Sequence, residues 1–387
     1  MSLQNTIDAL LSAGCENQKI PGVIACVADD SGVIYEGCAG TRSVDSTVPM
    51  SMDTVGLFAS MTKAVTGTAA MQLVEQGKLS LDDPAGKVCP FLEKPMVLEG
   101  FDSDGKPKLR PAKGTVTLRN LLTHTSGFSY EIWNPDMARE LEYRGAGNIL
   151  SGQRDSLDRP LAFDPGTRWD YGIGIDWAGK MVEEVSGMRL GEYFQKNILG
   201  PLGMKDTAFS MGDDQKSRLA GMHARTPDGA IVPYPLVLEQ EPEQHMGGHA
   251  LYGALPDYLR FLRMILGKGS LDGTRILEEK TVATMGENHM GKLWVTDMPD
   301  AQPYSNAVPT DPNVPCNWGL TFSINTRETP QGRSPGSLSW AGLANSYYWI
   351  DPVKQVTGVI LTQILPFFDP HVVKLYTDME SAVYQSR

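Results

Sequence analysis

Cysteine is scarce in this chain. Five occur in 387 residues, at Cys15, Cys26, Cys38, Cys89 and Cys316. The count is odd and there is no C-x-x-C, which argues against a disulfide framework or a zinc–thiolate site and fits free thiols in a reducing compartment. Runs of lysine or arginine are missing too. With a net charge of −12 and a pI near 5.0, nucleic acid and anionic membranes drop out as partners. No apolar run is long enough to span a bilayer. Met1-Ser2-Leu3-Gln4-Asn5 has neither a basic n-region nor an apolar h-region, so no signal peptide is expected and the chain reads as cytoplasmic. Enzymes of cell-wall peptides usually carry one or the other, and that substrate class is disfavoured. Repeats and low-complexity segments are absent. What remains is ordinary globular composition, 41% hydrophobic and 21% charged, enough for a large core and two domains.

Periodicity places a helix over 3–18, with Leu3, Ile7, Leu10, Leu11 and Cys15 at helical spacing. Strands Val23–Ala28 and Val33–Gly37 follow, joined by Asp29-Asp30-Ser31-Gly32 as a hairpin. Near the other end, 320–324, 337–340, 346–350 and 358–363 read as strands and 370–385 as a helix. One antiparallel sheet built from both termini and flanked by helices accounts for this, a mixed α/β architecture. The middle reads as helices over 118–122, 175–185 and 190–198, with loops over 94–115 and 145–166, and a further helix covers 256–266. The expected organisation is an α/β domain from 1–75 and 230–387 with a mainly helical domain, 76–229, inserted, and a crevice between them.

The chemistry starts at Ser60-Met61-Thr62-Lys63. Residues three apart on a helix share a face, so the amine reaches the hydroxyl. A serine needs a base to become a nucleophile, and a desolvated lysine with a lowered pKa is one. S-x-x-K alone is expected about once by chance in a chain this long, and it equally fits a helix N-cap serine beside a solvated lysine. The surroundings, Phe58, Ala59, Ala64, Val65, Ala69, Ala70, Met71 and Leu73, are apolar or small. A lysine on such a buried helix needs a partner or a function.

Acyl transfer also needs a second proton-transfer group and donors for the oxyanion. Tyr171, after Pro165-Gly166-Thr167-Arg168-Trp169-Asp170, is a candidate for the first, its pKa lowered by a neighbouring lysine cation; the same position suits a packing tyrosine. Trp340-Ala341-Gly342 ends a strand with small residues that let a substrate approach closely, and a backbone N–H there could pair with that of Ser60. His124 at a helix end reads as a dipole-stabilising residue bonded to a carbonyl. His245 and His249 are four apart, but Met246-Gly247-Gly248 between them speaks against a helix and no third ligand is evident, so no metal site is expected.

Together, Phe58–Lys63, Val116–Gly127, Pro165–Tyr171 and Gly247–Tyr252 resemble the serine β-lactamase and penicillin-binding-protein superfamily. The stretches fall in order along most of the chain, and within the superfamily it looks most like the family VIII carboxylesterases. The resemblance implies the β-lactamase/transpeptidase-like fold and no cofactor. It makes Ser60 the acylated nucleophile, Lys63 its activator and Tyr171 the partner in proton transfer, with an oxyanion hole from the N–H groups of Ser60 and Leu343. Trp340, Ala341, Gly342 and Ile173 would contact substrate. Two departures bear on its identity. Trp340 stands where lactamases carry the lysine of Lys-Thr-Gly, and losing that charged hydrogen bond costs about 1.5–3 kcal/mol, or roughly ten- to a hundredfold in affinity for a carboxylate. Ile173 replaces an asparagine that contacts an amide. Both shift the expectation from carboxylated peptides to neutral small-molecule esters of short to medium acyl chain, cleaved through an acyl-Ser60, with a weak β-lactamase side activity. An acyltransferase, a D-amino-acid peptidase or amidase, and a non-catalytic scaffold are the alternatives. Oligomeric state is not legible.

Overall fold

The computed structural model describes residues 2–387, apart from the side chain of Gln18. A seven-stranded antiparallel sheet is its frame. Its strands are β1 (Gly22–Asp29), β2 (Val33–Gly40), β3 (Cys316–Trp318), β4 (Ser323–Asn325), β5 (Leu338–Gly342), β6 (Ser346–Asp351) and β7 (Val356–Leu361). The spatial order is β3-β4-β5-β6-β7-β1-β2. The two ends of the chain therefore meet inside the sheet, where β1 pairs with β7 in the register Ile24↔Leu361 to Asp29↔Val356.

Period-2 alternation decides which face each side chain serves. On β6, Tyr347 and Trp349 point to the C-terminal helix and meet Tyr376, while Tyr348 points the other way and meets Tyr258. The helices concerned are α1 (Leu3–Cys15), α2 (Thr62–Glu75), α3 (Gly174–Ser186), α4 (Leu255–Leu266) and α5 (Pro370–Gln385). α1 packs with α5 and against β2, and α4 packs on β1 and β7. With both faces covered, β6 and β7 are buried throughout and β1 nearly so, as strands rich in β-branched and aromatic residues require. α2 is apolar or small almost all round, and every residue from Thr62 to Leu73 is buried. It is an internal helix, held against α3.

Several expectations needed correction. Residues 320–324 are not one strand. β3 and β4 flank a tight turn in which Leu320 and Phe322 fill the core and Thr321 takes φ +81°; a short apolar run does not distinguish a buried turn from a strand. Residues 94–115 hold a hairpin, Met96–Phe101 with Pro107–Pro111. Its turn is an Asx turn in which the Asp102 carboxylate accepts the N–H groups of Asp104 and Lys106, so the Gly, Asp and Lys content belonged to the tip. Helix Pro135–Arg144 was not expected. Its signal was Asn134-Pro135: the Asn134 amide oxygen accepts from Asp136 and Met137, and Pro135 sits in the first turn. The first helix ends at Cys15, and residues 190–198 form a short helix that loosens into a π-turn. No helix among the described residues is long and apolar enough to cross a membrane.

Trp349 lies directly across from Gly358. A Cβ at that glycine would sit 2.1 Å from the indole ring, so only glycine lets the tryptophan pack over β7. Gly358→Ala is expected to lower stability by about 1–3 kcal/mol through overpacking, read as a lower midpoint in urea with an unchanged slope.

Candidate active site

Ser60 occupies a single 3₁₀ turn, Ala59–Met61, that leads into α2. Tight winding brings residues i and i+3 into line, and the Lys63 amine lies 3.1 Å from the Ser60 hydroxyl oxygen. The turn is strained: Ala59 has φ +47°, at a cost of about 1–2 kcal/mol for a residue with a Cβ. It is held from both sides. Phe58 donates its N–H to the Leu251 carbonyl. Across the crevice, a Cβ on Gly342 would stand 2.4 Å from the Phe58 carbonyl oxygen, so glycine there lets β5 press against the Ser60 turn.

Lys63 is fully buried and makes three contacts, to Ser60, to the Tyr130 hydroxyl at 2.9 Å and to the Gly248 carbonyl at 2.7 Å. Burial is the main cause of a pKa lowered to about 7, and Asp176 opposes it. A neutral amine has two N–H bonds and one lone pair. Donating to Gly248 and Tyr130 leaves the lone pair for the Ser60 proton.

Tyr130 was missed in the sequence. It comes from a short segment, 128–130, that runs beside 171–173. Tyr130 donates its N–H to the Tyr171 carbonyl, and Gly172 allows the approach, since a Cβ there would lie 2.2 Å from the Phe128 carbonyl oxygen. Nothing in its local sequence marks it. The Lys63 nitrogen sits over both tyrosine rings, 5.1 Å from the centroid of Tyr130 and 4.8 Å from that of Tyr171, which favours the cation when it forms.

Tyr171 stands at the crevice as expected, but the expected cause of its pKa shift is reversed. Burial dominates and pushes the phenol up, while hydrogen bonding with Ser60 and Trp340 pulls weakly the other way. It is a neutral hydroxyl, not a phenolate. Trp340 donates its indole N–H to the Tyr171 oxygen at 3.0 Å. That leaves the phenolic proton free to point at Ser60. The residue that replaces the lactamase lysine is thus a hydrogen-bond donor in the site as well as an apolar wall.

Asp176, on α3, was also overlooked. Completely buried, it accepts the Gly248 N–H at 2.8 Å with one oxygen and has no partner on the other. His249 lies 3.6 Å away. Burial raises its pKa, and Lys63 is the main opposing influence. Gly248 therefore links the two charges: its carbonyl takes the lysine and its N–H takes the carboxylate. A Cβ on Gly248 would meet Asp176 at 2.3 Å.

Ser60, Tyr171, Trp340, Ala341, Gly342 and Leu343 line one crevice together with Trp133, Met298 and Phe367. Ile173 is not among them. It is fully buried at the head of α3, so its inclusion among substrate contacts is corrected: the position after Gly172 turns into the core. His124 is structural for a different reason than expected. Its Nδ1 accepts the Gly172 N–H, its carbonyl accepts that of Asp170, and burial holds it neutral. No helix dipole is served by an uncharged ring; the histidine clamps the strand of chain carrying Tyr171. His245 stacks on Phe209 and accepts the Gly191 N–H, apart from His249 beside Asp176. Residues 332–336 form a G-x-S-x-G pattern. It lies in the connection from β4 to β5, where Ser334 donates its N–H to Asp351, and it lacks the strand–turn–helix of a nucleophile elbow.

Comparison with known proteins agrees with this geometry. The beta-lactamase family model matches residues 7–381. Monacolin J acid methylbutanoyltransferase of Aspergillus terreus is 31% identical over 389 residues, covering 95% of this chain and 92% of that protein. Lovastatin esterase of Penicillium rubens is 31% identical over 382 residues, covering 93% of each. A mutant simvastatin synthase from Aspergillus terreus superposes with a TM-score of 0.86 at 32% identity, over 98% of this chain and 96% of that one.

If the neutral amine is the working form, kcat/KM for a neutral ester rises as pH increases through about 7, where Lys63 loses its proton. In Asp176→Asn the amide still accepts the Gly248 N–H, but the negative charge that favours the ammonium is gone. The acid limb is then expected to move to lower pH in a stopped-flow pH profile. A limb that stays in place would dissociate Asp176 from the amine.

Proposed function

This chain belongs to the beta-lactamase family, and on that premise we propose that it is a serine acyltransferase. It moves a short to medium, apolar acyl group from an ester-type donor to an alcohol through an acyl-Ser60 intermediate. The Ser60 proton passes to Lys63 as the oxygen attacks the donor carbonyl. The developing oxyanion is received by the N–H groups of Ser60 and Leu343. The bond from the carbonyl carbon to the leaving alcohol breaks as that oxygen takes a proton from Lys63 or from the Tyr171 hydroxyl, both of which adjoin Ser60. The acceptor alcohol then repeats the sequence in reverse. No step calls for a metal or organic cofactor.

The observation that carries transfer over hydrolysis is the character of the crevice. Around Ser60 it encloses only about 10 Å³, and Trp133, Tyr171, Met298, Trp340, Leu343 and Phe367 form most of its wall. Such a lining offers an apolar acceptor contact surface beside the polar groups at Ser60. An alcohol with an apolar body brings its own burial energy, about 25 cal/mol per Å², and displaces water from the acyl-enzyme. Similarity to a methylbutanoyltransferase supports this reading and suggests a short branched acyl group. Similarity to lovastatin esterase supports hydrolysis as the second reading; the two differ only in what attacks the acyl-enzyme.

The test is partitioning. Purified protein is given p-nitrophenyl butyrate with and without a millimolar apolar secondary alcohol, and products are separated by chromatography. New ester should exceed free acid when the alcohol is present, and Ser60→Ala should abolish both. Free acid as the sole product at every acceptor concentration would assign the protein to hydrolysis.

A further inference from the structure

Beside the Ser60 crevice lies a second cavity of about 260 Å³, with walls that include Trp169, Val295, Val308, Pro309 and Val314. Met298 and Trp340 line both spaces, so these two side chains are the partition. They differ in freedom. Trp340 is tied by its hydrogen bond to Tyr171 and by edge-to-face packing on Trp318, centroids 4.5 Å apart. Met298 has no side-chain hydrogen bond. Its backbone is fixed, because it exchanges both N–H···O bonds with Val308, at 3.0 and 2.8 Å, and the neighbouring Asp297 carboxylate holds Thr310 by its N–H and hydroxyl. A thioether chain with three rotatable bonds on a pinned backbone is the adjustable part of the wall. The crevice alone has room for about one water-sized group, whereas the cavity beyond accommodates several methylenes. The half-buried Arg333 on its wall is paired with Glu380 at 2.7 Å; polar groups of Asp311, Asn325 and Gln331 share the lining, so a tail would rest on the Trp169, Val295, Val308, Pro309 and Val314 side of the cavity.

We propose that Met298 sets acyl-chain length, and that the adjoining cavity receives the distal part of a medium-length apolar acyl chain when the methionine swings aside. This rests on the acyl-Ser60 reading above. The chain's carbonyl stays at Ser60 while its tail passes between Met298 and Trp340.

The experiment compares kcat/KM for p-nitrophenyl octanoate with that for p-nitrophenyl acetate in wild type, Met298→Ala and Met298→Phe. Using the ratio within each variant cancels any general loss of activity or folded fraction. Removing the partition should raise the octanoate-to-acetate ratio about tenfold, and the rigid phenyl should lower it by a similar factor. A ratio within about twofold of wild type in both variants, with wild type active, overturns the proposal and leaves the acyl-enzyme reading intact. A ratio that stays constant while preference among acceptor alcohols changes also overturns it, because the cavity then serves the acceptor. Wild type inert toward every ester would instead bring down the acyl-enzyme reading, and this inference with it.

Discussion

Burial of the Lys63 amine is the constraint on which the site depends. Water would solvate an ammonium and leave the lysine a poor base. Enclosed by Tyr130, Tyr171 and the Gly247–Gly248 backbone, the amine loses that solvation and its pKa falls to about 7. The same enclosure would make the charged form hard to tolerate when it takes the serine proton. Three features keep it tolerable: the carbonyl of Gly248, the faces of two tyrosine rings, and the buried carboxylate of Asp176. The site is therefore poised between two protonation states, dry enough to make a base and polar enough to hold a proton briefly.

Holding that balance demands close backbone contacts. Gly172, Gly248 and Gly342 each stand where a Cβ would lie within 2.5 Å of another atom. They let the Tyr171 segment, the Asp176 helix and β5 converge on α2. Their tolerances are small because protein interiors are close-packed. His124 contributes as a neutral acceptor and Ala59 as a strained residue, and neither touches the lysine. The sheet supplies the rigidity: β5 carries Trp340 and Gly342 to the Ser60 turn, and its neighbours are anchored by helices on both faces.

The aromatic lining has two consequences that pull in the same direction. It helps to desolvate the amine, and it gives the crevice an apolar wall beside its few polar groups. On the proposed reading, an activated Ser60 would meet an apolar alcohol as the second substrate. Trp340 joins the two roles, because its ring is wall and its N–H orients Tyr171. On the acyl-Ser60 reading, acyl transfer and hydrolysis would be neighbouring outcomes of one intermediate, the balance set by what reaches it.

Much of this was legible in the chain itself. Period-2 runs and turn residues located β1, β2 and β5 to β7, and a buried, nearly all-apolar helix behind Ser60 singled out Lys63, since an unpaired cation there would be costly. The order of the motifs indicated the family. Tyr130 and Asp176 were not legible, because each lies in ordinary local sequence and acquires its role only when segments far apart in the chain are packed around one nitrogen. Ile173 was misplaced for the same reason: position along a motif does not say which way a side chain turns at the head of a helix. The sequence by itself determined the Ser60–Lys63 pairing and the sheet, through local spacing and hydrophobic pattern. The tertiary structure alone decided the charge states, the hydrogen-bond partners and the walls of the crevice, because desolvation and close approach are properties of the packed whole.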